Sequence, residues 1–396
     1  MKRRNFLKNT ALASTAWYIP NFLQNFALQQ LHASRSGKIL VVIQLSGGND
    51  GLNTVVPYRN DLYYQNRPTL GIPANEVLKA SDDLGFHPAL APFHSLYEEG
   101  YVSVFNSVGY PNPDRSHFRA MDIWQTASKS DEYLSTGWLG RYLDNQCKGC
   151  DSPHAALEMD ESLSLALKGE QYSGFAINNM QQLQKTTQNV FHKHLGAQTA
   201  SHETEQVAYL YKTMIETQQS ADYLYEQSKV HNSKTTYPNS DFGKDLKQVA
   251  ELITADTDTR IYYISTGGFD THAMQKNTQQ RLLKQYAEGI QAFVSDLKQH
   301  QLFNEVLILT FSEFGRRVKQ NASGGTDHGT ANNVFLINGN LKKAGFHNAA
   351  PNLKDLDNGD LKYEIDFRSV YATLLEDWLG SHSNSILNGK FKKVIL

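Results

Sequence analysis

The sequence predicts an α/β fold, with a mostly parallel central sheet flanked by helices and a helical insertion. Three observations carry this. Short, β-branched apolar runs recur along the chain and end in glycine-rich loops, the pattern of buried parallel strands. Two of these runs flank a long segment of helical period, the strand-helix-strand order of a parallel crossover. The 396 residues, 40% hydrophobic and 11% aromatic, can bury a large core, which excludes disorder as the main state.

Taken in order, the chain opens on Arg3-Arg4-Asn5-Phe6-Leu7-Lys8, followed by a mildly apolar stretch from Ala11 to Leu28 and by small and polar residues near Ala33. This reads as a twin-arginine export signal over residues 1–35, leaving 36–396 as one α/β domain. Pro20, Asn21, Gln24 and Asn25 make the stretch too polar for a membrane span, and no other segment approaches that length, so no transmembrane anchor is expected. The predicted localisation is the periplasm or cell envelope.

Lys38 to Leu45 (KILVVIQL) is the first strand and enters the loop Ser46 to Gly51. Val102 to Val108 is the second; it leads through a Pro/Asn/Asp loop to a helix from about His117 to Thr126. Residues 200–256, rich in Gln, Lys, Glu and Ser, predict two helices of an insertion, joined by the polar stretch His231 to Asn239. Strands at Arg260–Thr266 and Glu305–Phe311 flank a helix over Thr278–His300, whose Leu282, Leu283, Tyr286, Ile290, Phe293, Val294 and Leu297 share a face. A short strand at Asn333–Ile337 and a helix over Asp366–Leu379, stopped by Gly380, complete the series.

A net charge of −2, without a basic stripe, argues against nucleic acid as a partner and leaves small anionic or polar ligands open. The two cysteines, Cys147 and Cys150, are too few for a four-thiolate zinc site; a local disulfide and two free thiols both remain open.

Ligands in open α/β sheets bind beyond the carboxyl ends of the strands. There the chain places Asn49-Asp50, Gly267-Gly268-Phe269-Asp270-Thr271-His272, Ser312-Glu313-Phe314-Gly315-Arg316-Arg317 and Gly325-Thr326-Asp327-His328-Gly329. Carboxylates and imidazoles converging from separate strands form a mixed oxygen and nitrogen shell suited to zinc or manganese. Asp50, Asp270, His272, Glu313 and His328 are the candidate ligands of one or two divalent ions. Ser116, where a loop becomes a helix, is either a nucleophile helped by the helix dipole or a helix cap. With it, His117, Arg119 and Arg316 are the candidate catalytic residues, the two arginines as grips for an anionic ester.

LSGGNDGLNTVVP, RSHFRAMDIW, GGFDTH, SEFGRR, GTDHGTANNVFLING and DFRSVYATLLEDWLG, in this order, resemble the bacterial, twin-arginine-exported family called domain of unknown function fifteen-oh-one. That family is similar to the alkaline phosphatase, sulfatase and phosphoglycerate mutase superfamily, which implies an alkaline-phosphatase-like fold. The resemblance implies that Asp50 binds one metal, that Asp270, His272 and His328 bind another, that Ser116 is the nucleophile, and that Glu313 stands where an Asp-His pair is usual. Two departures accompany it: the Asp270 to His272 spacing is short, and Ser312-Glu313 supplies one ligand for two. With no cysteine near position 116 the formylglycine nucleophile is absent, which favours phosphatase over sulfatase.

The expected function is therefore an exported metal-dependent hydrolase of phosphate or sulfate esters acting on a small anionic ester or carbohydrate-like substrate. The alternative is a non-catalytic cell-envelope binding or assembly protein, with a partner protein there. A phosphomutase-like transfer is the third possibility.

Overall fold

The computed structural model describes residues 37–146, 153–187 and 217–396. The signal segment, Cys147, Cys150 and the first part of the expected insertion lie outside the described residues.

The nine strands of the main sheet are β1 (Ile39–Leu45), β2 (Val102–Gly109), β3 (Ala156–Glu158), β4 (Phe175–Ala176), β5 (Ile261–Thr266), β6 (Val306–Phe311), β7 (Asn332–Ile337), β8 (Gly345–Phe346) and β9 (Ile365–Asp366). They lie in the order β8-β2-β7-β6-β1-β5-β3-β4, with β9 also on β2. β7 pairs antiparallel with both β6 and β2, and every other pairing is parallel, so the expected mostly parallel sheet is what forms. The expected crossover joins β5 to β6, but β1 lies between them and pairs with both.

Alternation in β1 builds two cores. Ile39, Val41, Ile43 and Leu45 enter one apolar layer while Leu40 and Val42 enter the other, and each fully buried side chain contributes roughly 1.5–3 kcal/mol. After a short helix, α1 (Asp61–Asn66), the first layer is covered by helices α2 (Ala91–Glu98), α5 (Asp241–Thr254) and α6 (Gln275–Gln299). The second lies under α3 (His117–Thr126), α4 (Trp138–Gln146) and α7 (Phe367–Thr373), which runs on into a π turn, Leu374–Trp378. Residues 217–227 are also helical. α5, expected as part of an insertion, packs in the core layer: Leu246, Val249 and Ile253 share a cluster with Leu283, Tyr286 and Ile290 of α6.

Two features position the site. In the register Leu45 lies opposite Thr266 and Gln44 opposite Phe311, so the loops leaving β1, β5 and β6 emerge at one edge. Trp124 of α3 stacks between Phe311 (4.9 Å) and Phe367 (4.3 Å), which fixes the N-terminus of α3 at the same edge. No helix among the described residues is long and apolar enough to cross a membrane.

Candidate metal centre

Asp270 leads out of β5, His328 precedes β7, His272 lies two residues beyond Asp270, and His117 opens α3. The three imidazoles point one nitrogen each at the same carboxylate oxygen: Nε2 of His117, His272 and His328 lie 3.5, 3.1 and 3.1 Å from Asp270 Oδ1. Their other nitrogens are occupied. His117 Nδ1 meets Glu313 Oε1 at 2.9 Å, His272 Nδ1 meets Asp327 Oδ1 at 3.2 Å, and His328 Nδ1 meets the Arg115 carbonyl at 2.8 Å.

Each of those partners accepts, so each Nδ1 donates and, in the neutral ring, Nε2 carries the lone pair. The Nε2 atoms of His272 and His328 then face each other at 2.9 Å without a proton between them. His117 Nε2 is buried with no hydrogen-bond partner. Lone pairs converging on one carboxylate oxygen, each ring held from behind by an oxygen, fit a divalent metal of zinc type. His117, Asp270 and His328 offer ligand atoms within 4.8 Å of one another, and His272 stands beside them.

Burial alone would raise the Asp270 carboxyl, but the Arg316 guanidinium, which donates to Oδ1 at 2.7 Å, holds it below the usual carboxylate range. The Glu313 hydrogen bond raises His117 against the opposing effect of burial. Asp327 is lowered, first by the Asn321 amide and then by His272.

The other predicted residues take different places. Glu313 is fully buried and accepts from the Gly47 N–H at 2.8 Å as well as meeting His117, so it stands behind an imidazole. Asp50 is not brought into the cluster. It is buried against Arg67, whose Nη1 donates to its Oδ2 at 2.5 Å, as does Gln275 Nε2 at 2.5 Å, while its Oδ1 accepts from the Asn53 N–H at the start of Gly51–Thr54. Arg119 does not reach the site: it is buried, donates to the carbonyls of Lys129, Ser130 and Glu132, and lies over the Tyr133 ring. Arg316 is also spent inside the fold, on the carbonyls of Gly47, Gly48, Phe269 and Thr326 and on Asp270 at 2.7 Å. It cannot also grip a substrate; it clamps three site loops together.

Ser116 occupies the cap position of α3 but makes no side-chain cap bond, and it is exposed. Arg115 and Arg317, 42% and 37% exposed, share the buried Asp360. Asp327, which meets the His272 ring, was not among the expected site residues, although an acidic residue directly before His328 was a usable signal; His117 was expected as a catalytic residue and stands instead among the ligand-type side chains.

Three imidazoles and a carboxylate beyond the strand ends of a mostly parallel sheet define an α/β protein with a metal-capable centre. The chain belongs to the family described as "Protein of unknown function (DUF1501)", which matches residues 95–387. No curated protein matches it. Among solved structures it is similar to the PsFucS1 sulfatase from Pseudoalteromonas sp. (11% identity, TM-score 0.39, covering 91% of this chain and 70% of that one). It is also similar to the C-terminal periplasmic domain of EcEptC from Escherichia coli, a complex with Zn (9%, 0.36, 76% and 72%). A third is a protein in the alkaline phosphatase superfamily from Vibrio parahaemolyticus (10%, 0.35, 80% and 63%). These likenesses are distant, and the roles assigned below rest on the geometry of this chain.

Proposed function

We propose that the chain is an exported, metal-dependent hydrolase of phosphate or sulfate esters with Ser116 as its nucleophile. The observation that carries this is the convergence of three Nε2 atoms on Asp270 Oδ1 one residue from a serine hydroxyl free of its cap bond. His117, Asp270, His272 and His328 would hold the metal, and Glu313, Asp327 and the Arg115 carbonyl would orient the rings. A bound divalent ion lowers the pKa of an oxygen nucleophile and neutralises charge on a leaving oxygen.

Ser116 Oγ gives up its proton to solvent and forms the new bond to phosphorus or sulfur while the bond to the ester oxygen breaks on the opposite side, that oxygen keeping the electron pair and taking a proton from water as the alcohol leaves. A water molecule then attacks the serine ester, releasing phosphate or sulfate and restoring the serine hydroxyl. The α3 N-terminus favours the anion bound there. Arg115 and Arg317 replace Arg119 and Arg316 as the cations that hold the substrate oxygens, being exposed beside the centre. Next to it, Tyr110, Phe314, Lys362 and Tyr363 line a cavity of about 500 Å³ that suits the organic part of an ester or a sugar. Export through the twin-arginine route to the periplasm or cell envelope rests on the Arg3-Arg4 motif.

Purified protein supplied with zinc or manganese should hydrolyse an aryl phosphate or sulfate, and Ser116→Ala should abolish turnover with its metal content unchanged. If wild type is inert across such a panel while holding metal, the non-catalytic binding role takes its place.

A further inference from the structure

A second group of ligand-type side chains lies at the opposite end of α6. Asp296 and His300 stand one turn apart there, and His231, from the loop before α5, sets its ring edge to face on His300, with centroids 4.5 Å apart. One nitrogen of each imidazole and one oxygen of Asp296 lie within 4.8 Å of one another. α6 starts at Gln275, beside Asp50, and its 25 residues at about 1.5 Å each carry the chain roughly 37 Å away from there.

Two observations point to a cation as the ligand of this group. His231 Nε2 is buried with no hydrogen-bond partner. Asp296 is 2% exposed, with Tyr237 Oη donating to Oδ2 at 2.9 Å, whereas Oδ1 faces His300 Nε2 at 3.9 Å, beyond hydrogen-bond reach. A buried carboxylate beside an imidazole nitrogen that is buried without a partner, in side chains whose ligand atoms gather within 4.8 Å, carries a desolvation cost, which a shared cation removes. The Tyr237 bond holds the carboxylate from behind, as outer hydrogen bonds hold metal-bound carboxylates.

We propose that His231, Asp296 and His300 form a second, structural divalent-metal site of zinc type. Two imidazoles and one carboxylate match zinc and not the all-oxygen preference of calcium or magnesium, and the exposed side of His300 leaves a fourth position for water. Ligand atoms about 2.0–2.2 Å from a zinc ion stand roughly 3.4 Å apart, so binding draws the three groups together by about an ångström. The ion fastens the loop 228–240 to the end of α6. That loop is already tied to α5, where Glu251 Oε1 accepts from the Ser233 N–H at 3.0 Å. The site does not depend on the hydrolase reading.

The full chain, loaded with zinc and freed of excess by gel filtration, is compared by elemental analysis with His300→Ala and His231→Ala. His300 is exposed, so its replacement leaves folding intact. Wild type carries one equivalent more than either variant. In an Asp270→Asn/His328→Ala background one equivalent remains, zinc raises the melting temperature, and adding His300→Ala removes both effects. Equal zinc in wild type and His300→Ala overturns the proposal, and so does a background protein that neither retains zinc nor melts higher with it.

Discussion

Asp50 and Asp270 both follow strands that end at the same edge, yet they take opposite parts. Asp50 is captured by the Arg67 guanidinium, a residue 17 positions away that local sequence does not link to it. Removing one member of a buried ion pair leaves the other uncompensated, at about 3–5 kcal/mol. Asp50→Asn should therefore destabilise the fold by about that amount in chemical denaturation while the metal content of the folded fraction stays that of wild type; a loss of metal without a loss of stability would return Asp50 to the ligand set. Motifs revealed Asp270, His272 and His328 because those residues sit beside glycines at strand ends. They did not separate ligand from support for His117 and Glu313, since that distinction depends on which ring nitrogen faces which oxygen.

At the scale of elements, the long strands and α6 were legible because a run such as Ile39 to Ile43, five apolar residues in a row, or an apolar face sustained over many turns, leaves few alternatives. β4, β8 and β9 were not legible, as two-residue strands carry no period. The loops of the site depend on close backbone approach. Gly47 has φ +114°, and a Cβ there would lie 2.5 Å from the Asp270 nitrogen and 2.9 Å from the Phe269 carbonyl carbon. Gly47→Ala combines a strained backbone with a steric clash, each on the order of 1–3 kcal/mol. It should lower the melting temperature and, by pushing the Asp270 loop outward, also reduce metal content; a variant that binds metal as wild type does would show that the loop yields freely.

For the whole molecule, the aligned register of β1, β5 and β6 and the stacking of Trp124 bring four separate segments to one edge, and pairing order is what the sequence alone left open. The insertion of β1 between β5 and β6 follows from no local pattern. Stability also carries a pH signature from this sheet. Glu158, buried at the end of β3, is raised by burial to about 7 despite the Ser164 N–H that it accepts. A carboxyl raised in the fold binds its proton more tightly there than in the unfolded chain, so its contribution is complete below about 4.5 and is lost as pH rises through about 7. The difference is on the order of 3 kcal/mol. Glu158→Gln should flatten the fall in stability between pH 5 and 8 and leave the variant more stable than wild type at pH 8, as read from denaturation midpoints; parallel pH profiles would contradict it.

The central claim, a metal held by His117, Asp270, His272 and His328, is tested most directly by elemental analysis of natively purified protein beside the folded Asp270→Asn/His328→Ala variant. The geometry predicts that wild type contains stoichiometric zinc or manganese and that the variant, unchanged in circular dichroism, loses at least one equivalent. Metal-free wild type, or equal metal in the two proteins, would contradict it.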